Sequence, residues 1–241
     1  MTGTLATAQR VLRQLSHDPR SLVMIVAIPP LLMLLFKYIY NGQPEIFNRA
    51  GPQLLGLFPF IIMFVLTSVT MVRERTSGTL ERLLTTPLRR SELISGYTVS
   101  FGLAALVQAL VTAAIAIWVL NLDVDAPAGI ILVAVLGAIL GTTLGLLMSA
   151  FANTEFQAVQ FMPLVVVPQF LLCGILVPRS DMPDVLHAIS VVLPLSYVTD
   201  AFVSLAGGAA DTSMGVSVPV IIGCCVAAVL LASMTLRRQT P

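Results

Sequence analysis

QLLGLFPFIIMFVLTSVTMVRERTSGTLERLLTTPLRRSE, residues 53–92, passes from an apolar run to a charged one with no transition between them. Gln53 to Val72 carries no charged side chain, over about the 20 residues that an α-helix needs to cross roughly 30 Å of hydrocarbon. Arg73, Glu74 and Arg75 then follow in succession, with Glu81, Arg82, Arg89 and Arg90 close behind. The stretch reads as a membrane-crossing helix that emerges into a charged loop.

The rest of the chain repeats that pattern. Of 241 residues, 57% are hydrophobic and 10% charged, against about 25% charged in soluble domains. With a mean hydropathy of +0.94, this is more apolar surface than one soluble core can hide. A soluble enzyme is excluded. Apolar runs at 21–40, 53–72, 93–120, 128–150, 157–177 and 214–236 are each long enough to cross. The third is over-long and implies tilt. Runs of this kind specify helices, because a membrane β-barrel needs short alternating segments. The expected fold is an all-α integral membrane protein with six transmembrane helices, a single membrane domain over 1–241. Residues 1–20 are mostly polar and no small-residue cleavage site follows the first apolar run, so that run is expected to stay as an anchor. Leu5, Ala8, Leu12 and Leu15 fall on one helical face, with Arg10, Arg13 and Gln14 opposite. That pattern predicts an N-terminal interfacial amphipathic helix. Asp18 and Pro19 then supply an N-cap and first-turn proline for the first span.

Charge placement orients the bundle. Arg10, Arg13, Arg20, Arg73, Arg75, Arg82, Arg89, Arg90, Arg237 and Arg238 fall on one side, while Lys37, Arg49 and Arg179 fall on the other. The positive-inside rule makes the first side cytoplasmic, with both termini there. The opposite side carries Glu45, Asp123, Asp125, Asp181, Asp184, Asp200 and Asp211. Residues 179–208 are too apolar for an ordinary loop and too interrupted to cross, which predicts two short re-entrant helices with Asp181, Asp184 and Asp200 towards water. A net charge of +1 gives no basis for binding nucleic acid.

Within the loop at 73–92, Leu80, Leu83 and Leu84 keep helical spacing and Thr86-Pro87 ends the short helix. Two readings stay open on these residues alone: a docking helix parallel to the membrane, or a charged loop that fixes orientation.

Glu74-Arg75, Gly78-Thr79-Leu80-Glu81, Leu83-Leu84, Pro87 and Gly96 resemble the first cytoplasmic loop of ABC-2 type transporter permeases, including the daunorubicin-resistance type of exporter subunit. Gly174-Ile175-Leu176-Val177-Pro178, Met182-Pro183 and Leu193-Pro194-Leu195-Ser196-Tyr197-Val198-Thr199-Asp200-Ala201 resemble the family's fifth span and outer re-entrant region. The resemblance implies a permease that pairs with a second permease subunit, as homodimer or heterodimer, and binds ATP-binding cassette ATPase subunits. It implies ATPase-coupling roles for Glu74, Arg75, Gly78, Thr79, Leu80, Glu81, Arg82, Leu83 and Pro87, with Glu155 in the second cytoplasmic contact. Spans two and five would face the dimer axis.

The one lysine is Lys37, followed by Tyr38, so no Walker A loop of the form Gly-x-x-x-x-Gly-Lys-Ser/Thr is present. ATP hydrolysis is expected on a separate subunit, and Lys37 is expected to snorkel to the outer interface. His17 and His187 are the only histidines, which excludes an H-E-x-x-H metalloprotease. No catalytic residue, metal or cofactor is expected. No acidic residue lies at mid-membrane, which disfavours a proton-coupled carrier. Cys173, Cys224 and Cys225 read as apolar packing residues. Gly137, Gly141 and Gly145 form overlapping G-x-x-x-G steps that predict close helix packing. Candidate path residues are Phe60, Phe64, Gln157, Gln160, Phe161 and Gln169, with helix bridging the alternative for the glutamines. The expected function is export of amphipathic drugs, antibiotics or lipid-like molecules across a bacterial cell membrane. Permeases for polysaccharide or lipid export, and a non-transport assembly or sensor protein, are the other readings.

Overall fold

In an apolar medium the backbone has no partner but itself, so these runs close their hydrogen bonds within helices. The computed structural model describes residues 2–78, 90–208 and 210–235, and every regular element among them is helical. In chain order these are α1 (Thr2–Ser16), α2 (Pro19–Ile39), α3 (Pro44–Thr76), α4 (Arg90–Ala114), α5 (Pro127–Ser149), α6 (Glu155–Leu172), α7 (Asp184–Val192), α8 (Pro194–Leu205) and α9 (Met214–Thr235). A π-helical turn, Ile115–Val119, extends α4. Six helices have the length and apolarity to cross a membrane, namely α2 to α6 and α9. The predicted coupling helix falls at 79–89, outside the described residues.

Local chemistry sets the boundaries. Asp18 caps α2 by accepting the Ser21 backbone N–H at 3.4 Å, and its other oxygen takes the Ser21 hydroxyl at 2.7 Å. Proline opens α3 and α5 at the first turn, where its missing N–H has no helical partner to lose. α3 runs 33 residues, well beyond the apolar stretch at 53–72, because Pro44 to Pro52 and Arg73 to Thr76 continue the same helix. α6 stops at Leu172, short of the expected 177. Gly174 adopts φ +98°, a left-handed conformation open to glycine and unfavourable for other residues. Leu193 is extended before Pro194, as a pre-proline residue must be, and α7 and α8 meet there at a bend of 95°. This is the expected re-entrant pair.

α3 is the central helix, and its closest partner is α5. A methyl group on Gly141 would land on the Phe60 carbonyl, and one on Gly145 would sit 2.5 Å from the Phe64 carbonyl oxygen. The α5 glycines therefore let two backbones touch. Gly56 of α3 makes room for side chains of α8, where an added Cβ would lie 2.5 Å from the Phe202 ring. Spans two and five thus differ sharply in burial: α3 is enclosed, whereas α6 keeps Leu164, Val167 and Leu171 exposed.

Two expectations need correction, and the one for Lys37 gains a partner. The packed face of α1 consists of Thr7, Ala8, Val11 and Leu15, while Leu5 is exposed. That face is rotated towards Arg10 because α1 lies on α4, where Gly96 leaves room for Thr7. Lys37 does more than reach for the interface. Its ammonium donates to the Leu120 carbonyl, one of the acceptors left unsatisfied where a helix ends. Asp200 does not face water but is buried against Arg179, because an ion in this apolar setting needs a counter-ion.

Candidate functional site

A polar junction that joins several helices lies at the end of the bundle where Arg10, Arg73 and Arg75 gather, the basic end. Arg73, Glu74 and Arg75 are consecutive on α3, so successive side chains point about 100° apart around the axis. They consequently reach three different neighbours.

Glu74 points inward and is buried. Its carboxylate accepts the Arg10 guanidinium of α1 at 3.3 Å and the Tyr97 hydroxyl of α4 at 2.9 Å. Arg10 also donates to the Tyr97 oxygen at 2.5 Å and stacks 5.7 Å from its ring centre. A carboxylate inside an apolar bundle is tolerated only when paired and hydrogen-bonded, and these partners come from two other helices. Burial works against the Arg10 charge, and the neighbouring Tyr97 and Glu74 more than offset it, which holds its pKa above the ordinary arginine value. Beside this triad, the Ser100 hydroxyl of α4 donates to the Ala8 carbonyl of α1 at 3.0 Å. α1 is thereby fixed to both α3 and α4.

Arg73 faces α6. Its Nε and one terminal nitrogen each donate to a Glu155 carboxylate oxygen at 2.9 Å. The pair is solvent-exposed, so it contributes geometry more than stability, about 0–1 kcal/mol. Arg75 faces the end of α5 and donates to the Ala150 and Ala152 carbonyls. A cation there satisfies free carbonyls and meets the negative end of the helix dipole. One turn of α3 therefore ties together α1, α4, α5 and α6. Ser77 ends that helix, and Gly78 follows at φ +72°.

The predicted coupling residues divide accordingly. Glu74 and Arg75 point into the bundle and Glu155 pairs with Arg73, while Gly78 stands at the exit of α3. Thr79, Leu80, Glu81, Arg82, Leu83 and Pro87 lie outside the described residues. Arg10, Arg73 and Tyr97 complete the junction and carried no local signal that separated them from other charged or aromatic residues.

The predicted path residues are not brought together. Phe60 and Phe64 are fully buried in the bundle core, stacked with ring centres 6.4 Å apart. Gln157 takes part in the N-terminal cap of α6. The Thr154 hydroxyl accepts its backbone N–H at 3.1 Å, and its side-chain amide oxygen accepts the Asn153 N–H at 2.7 Å, which closes the first turn of α6 on the connection before it. Phe161 packs on Val72, Ala152 and Ala158. Gln169 is buried and accepts the Leu195 N–H at 3.3 Å, latching α6 to the first residues of α8. Gln160 alone of the six is fully exposed. A separate groove of about 560 Å³ runs between α2, α3 and α6, lined by Met24, Val65, Val69 and Val159 with Asp18 and Arg73 at its polar end.

A family model for the ABC-2 type transporter matches residues 2–206. The probable multidrug ABC transporter permease YbhR of Escherichia coli K12 is 30% identical over 164 residues, covering 67% of this chain and 44% of that protein. ABC transporter G family member 20 of Dictyostelium discoideum is 28% identical over 162 residues, 67% of this chain and 22% of its own length. The linearmycin resistance permease protein LnrN of Bacillus subtilis is 25% identical over 182 residues, 73% and 46% of the two chains. The aligned part of the chain thus spans less than half the length of each of these relatives. With the family model running from α1 through α8 across the whole junction, the chain belongs to the ABC-2 type transporter family.

Proposed function

We propose that this chain is the permease of an ATP-driven exporter that moves amphipathic drugs, antibiotics or lipid-like molecules, with ATP hydrolysed by a separate cassette subunit. The observation that carries this reading is the junction on α3. Arg73, Glu74 and Arg75 link α1, α4, α5 and α6 one turn before the loop at 79–89, so a push on that loop is delivered to four helices together. The basic end then faces the cytoplasm, where a cassette subunit meets the loop, and Glu155 joins the contact through Arg73. The groove between α2, α3 and α6 supports an amphipathic cargo, since it offers apolar side chains over most of its length and Asp18 with Arg73 at one end. A second permease copy or homologue completes the path against the exposed face of α6. The names of YbhR and LnrN, a multidrug permease and a linearmycin resistance permease, agree with a cargo of this class.

The test is co-expression with a candidate cassette ATPase, measuring co-purification, ATP turnover and dye or drug efflux. Glu81→Arg is expected to weaken association and to lower efflux about tenfold or more, the effect of reversing one charge at a desolvated contact. Undiminished association and efflux would remove the coupling role from the loop. Association with no efflux of any amphiphile would instead favour an assembly or sensor protein.

A further inference from the structure

At the opposite, acidic end a cavity of about 730 Å³ opens between the α2–α3 connection, the segment after α6, and α8. Its size lies within the roughly 300–1,000 Å³ of small-ligand pockets. The apolar part of its wall comes from Phe36, Ile46, Ile175 and Leu176. The floor is charged. Arg179 and Asp200 are both buried and paired there, and Asp211 reaches the same guanidinium at 3.5 Å and His187 at 3.0 Å. One guanidinium thus faces two carboxylates, and Asp211 meets both Arg179 and His187 through the same Oδ2, which leaves its Oδ1 to receive a cation. Asp181 lies on the same side, exposed, taking the Ser180 hydroxyl at 3.3 Å. Arg49 also lines the cavity, exposed and without an ion pair to any described residue.

A simple cation would meet Arg49 and a simple anion would meet the acids, so neither satisfies the whole cavity. We propose that it binds the headgroup of a zwitterionic phospholipid, with the ammonium towards Asp181 and Asp211, the phosphate towards Arg49, and the root of an acyl chain along the apolar wall. Arginine suits a phosphate because its fork can donate two parallel hydrogen bonds. Phe36 and Tyr40, with ring centres 4.9 Å apart, sit at the end of α2 as interfacial aromatics do, so the cavity opens at headgroup depth. The inference depends neither on which end is cytoplasmic nor on the cassette subunit.

The experiment uses the full chain, delipidated in detergent and examined by native mass spectrometry with phosphatidylethanolamine, phosphatidylglycerol or soluble phosphoethanolamine. Phosphatidylethanolamine is expected to be retained about tenfold better than phosphatidylglycerol, which lacks the ammonium, and far better than the soluble headgroup. Arg49→Glu is expected to lower its retention about tenfold, and Asp181→Asn to narrow the gap between the two lipids severalfold. Arg13→Glu at the basic end is expected to change neither. Equal or better retention of phosphatidylglycerol would overturn the proposal, as would retention unaffected by both cavity variants. Binding of soluble phosphoethanolamine as tight as that of the lipid would also overturn it, since the wall would then contribute nothing.

Discussion

Glu74 is the residue on which the basic end turns, because it is a carboxylate enclosed by apolar helices and, among the described residues, satisfied by Arg10 and Tyr97. Removing one partner leaves a buried charge unpaired, which costs more than the pair itself contributes. Arg10→Met is therefore expected to destabilise the protein by about 2–3 kcal/mol, less than a fully buried pair because Arg10 is partly exposed. Adding Glu74→Leu should recover part of that loss, so the double variant should be more stable than the sum of the singles. Thermal unfolding of the four proteins in detergent measures the coupling, and strict additivity would show that the two groups do not interact. The sequence displayed Glu74 and Arg75 as members of a charged loop, which reads as solvated by default. The surroundings of Glu74 depend on Arg10, 64 positions away, and on Tyr97, 23 away, and those of Arg75 on Ala150 and Ala152, 75 and 77 away. No periodicity carries a pairing over that distance. Asp200 was misread for the same reason, since Arg179 neutralises it within a segment otherwise marked by exposed acids.

Among the elements, the seam between α3 and α5 is the one the sequence displayed most clearly. Gly137, Gly141 and Gly145 recur every fourth residue, and that spacing alone marks a face made for close approach. What it did not reveal is the partner, because Gly56, Phe60 and Phe64 take part through their backbones while their side chains point elsewhere. Gly141→Ala has no room at the Phe60 carbonyl, and overpacking of this kind costs about 1–3 kcal/mol. Gly102 on α4 has nothing within 4 Å of an added Cβ. Gly102→Ala should therefore be neutral or stabilising by up to about 1 kcal/mol, through helix propensity. Detergent-resistance or thermal-shift assays on the two variants separate the effects, and equal behaviour would mean that the seam carries no packing constraint. Helix ends were less legible than helix existence. α3 outruns its apolar stretch because polar residues can continue a helix beyond the membrane, and α6 stops early because one left-handed glycine ends it.

At the scale of the whole molecule, apolar runs and charge placement were enough to give six crossing helices and a re-entrant pair, since both follow from the solvation of backbone and charge. The proposed orientation makes its own prediction. Single cysteines introduced as Arg13→Cys and as Asp125→Cys, in a Cys173→Ala, Cys224→Ala, Cys225→Ala background, should react differently with a membrane-impermeant maleimide added to intact cells. Position 125 should label and position 13 should label only after lysis. The reverse pattern would invert the bundle and remove the cassette subunit from the basic end.

The seam also has a mechanical consequence. α3 is 33 residues long, about 50 Å at 1.5 Å per residue, and Phe60 lies at its midpoint. It is gripped at one end by salt bridges and touches α8 beyond the middle through Gly56, while at its centre the Phe60 and Phe64 backbones rest on the glycine stripe of α5. Such a rod is a lever on a smooth fulcrum. A tilt of about 5° about the seam would carry its two ends roughly 2 Å in opposite directions, so a small sideways displacement at the arginine cluster would reappear, with its sign reversed, beneath the re-entrant helices.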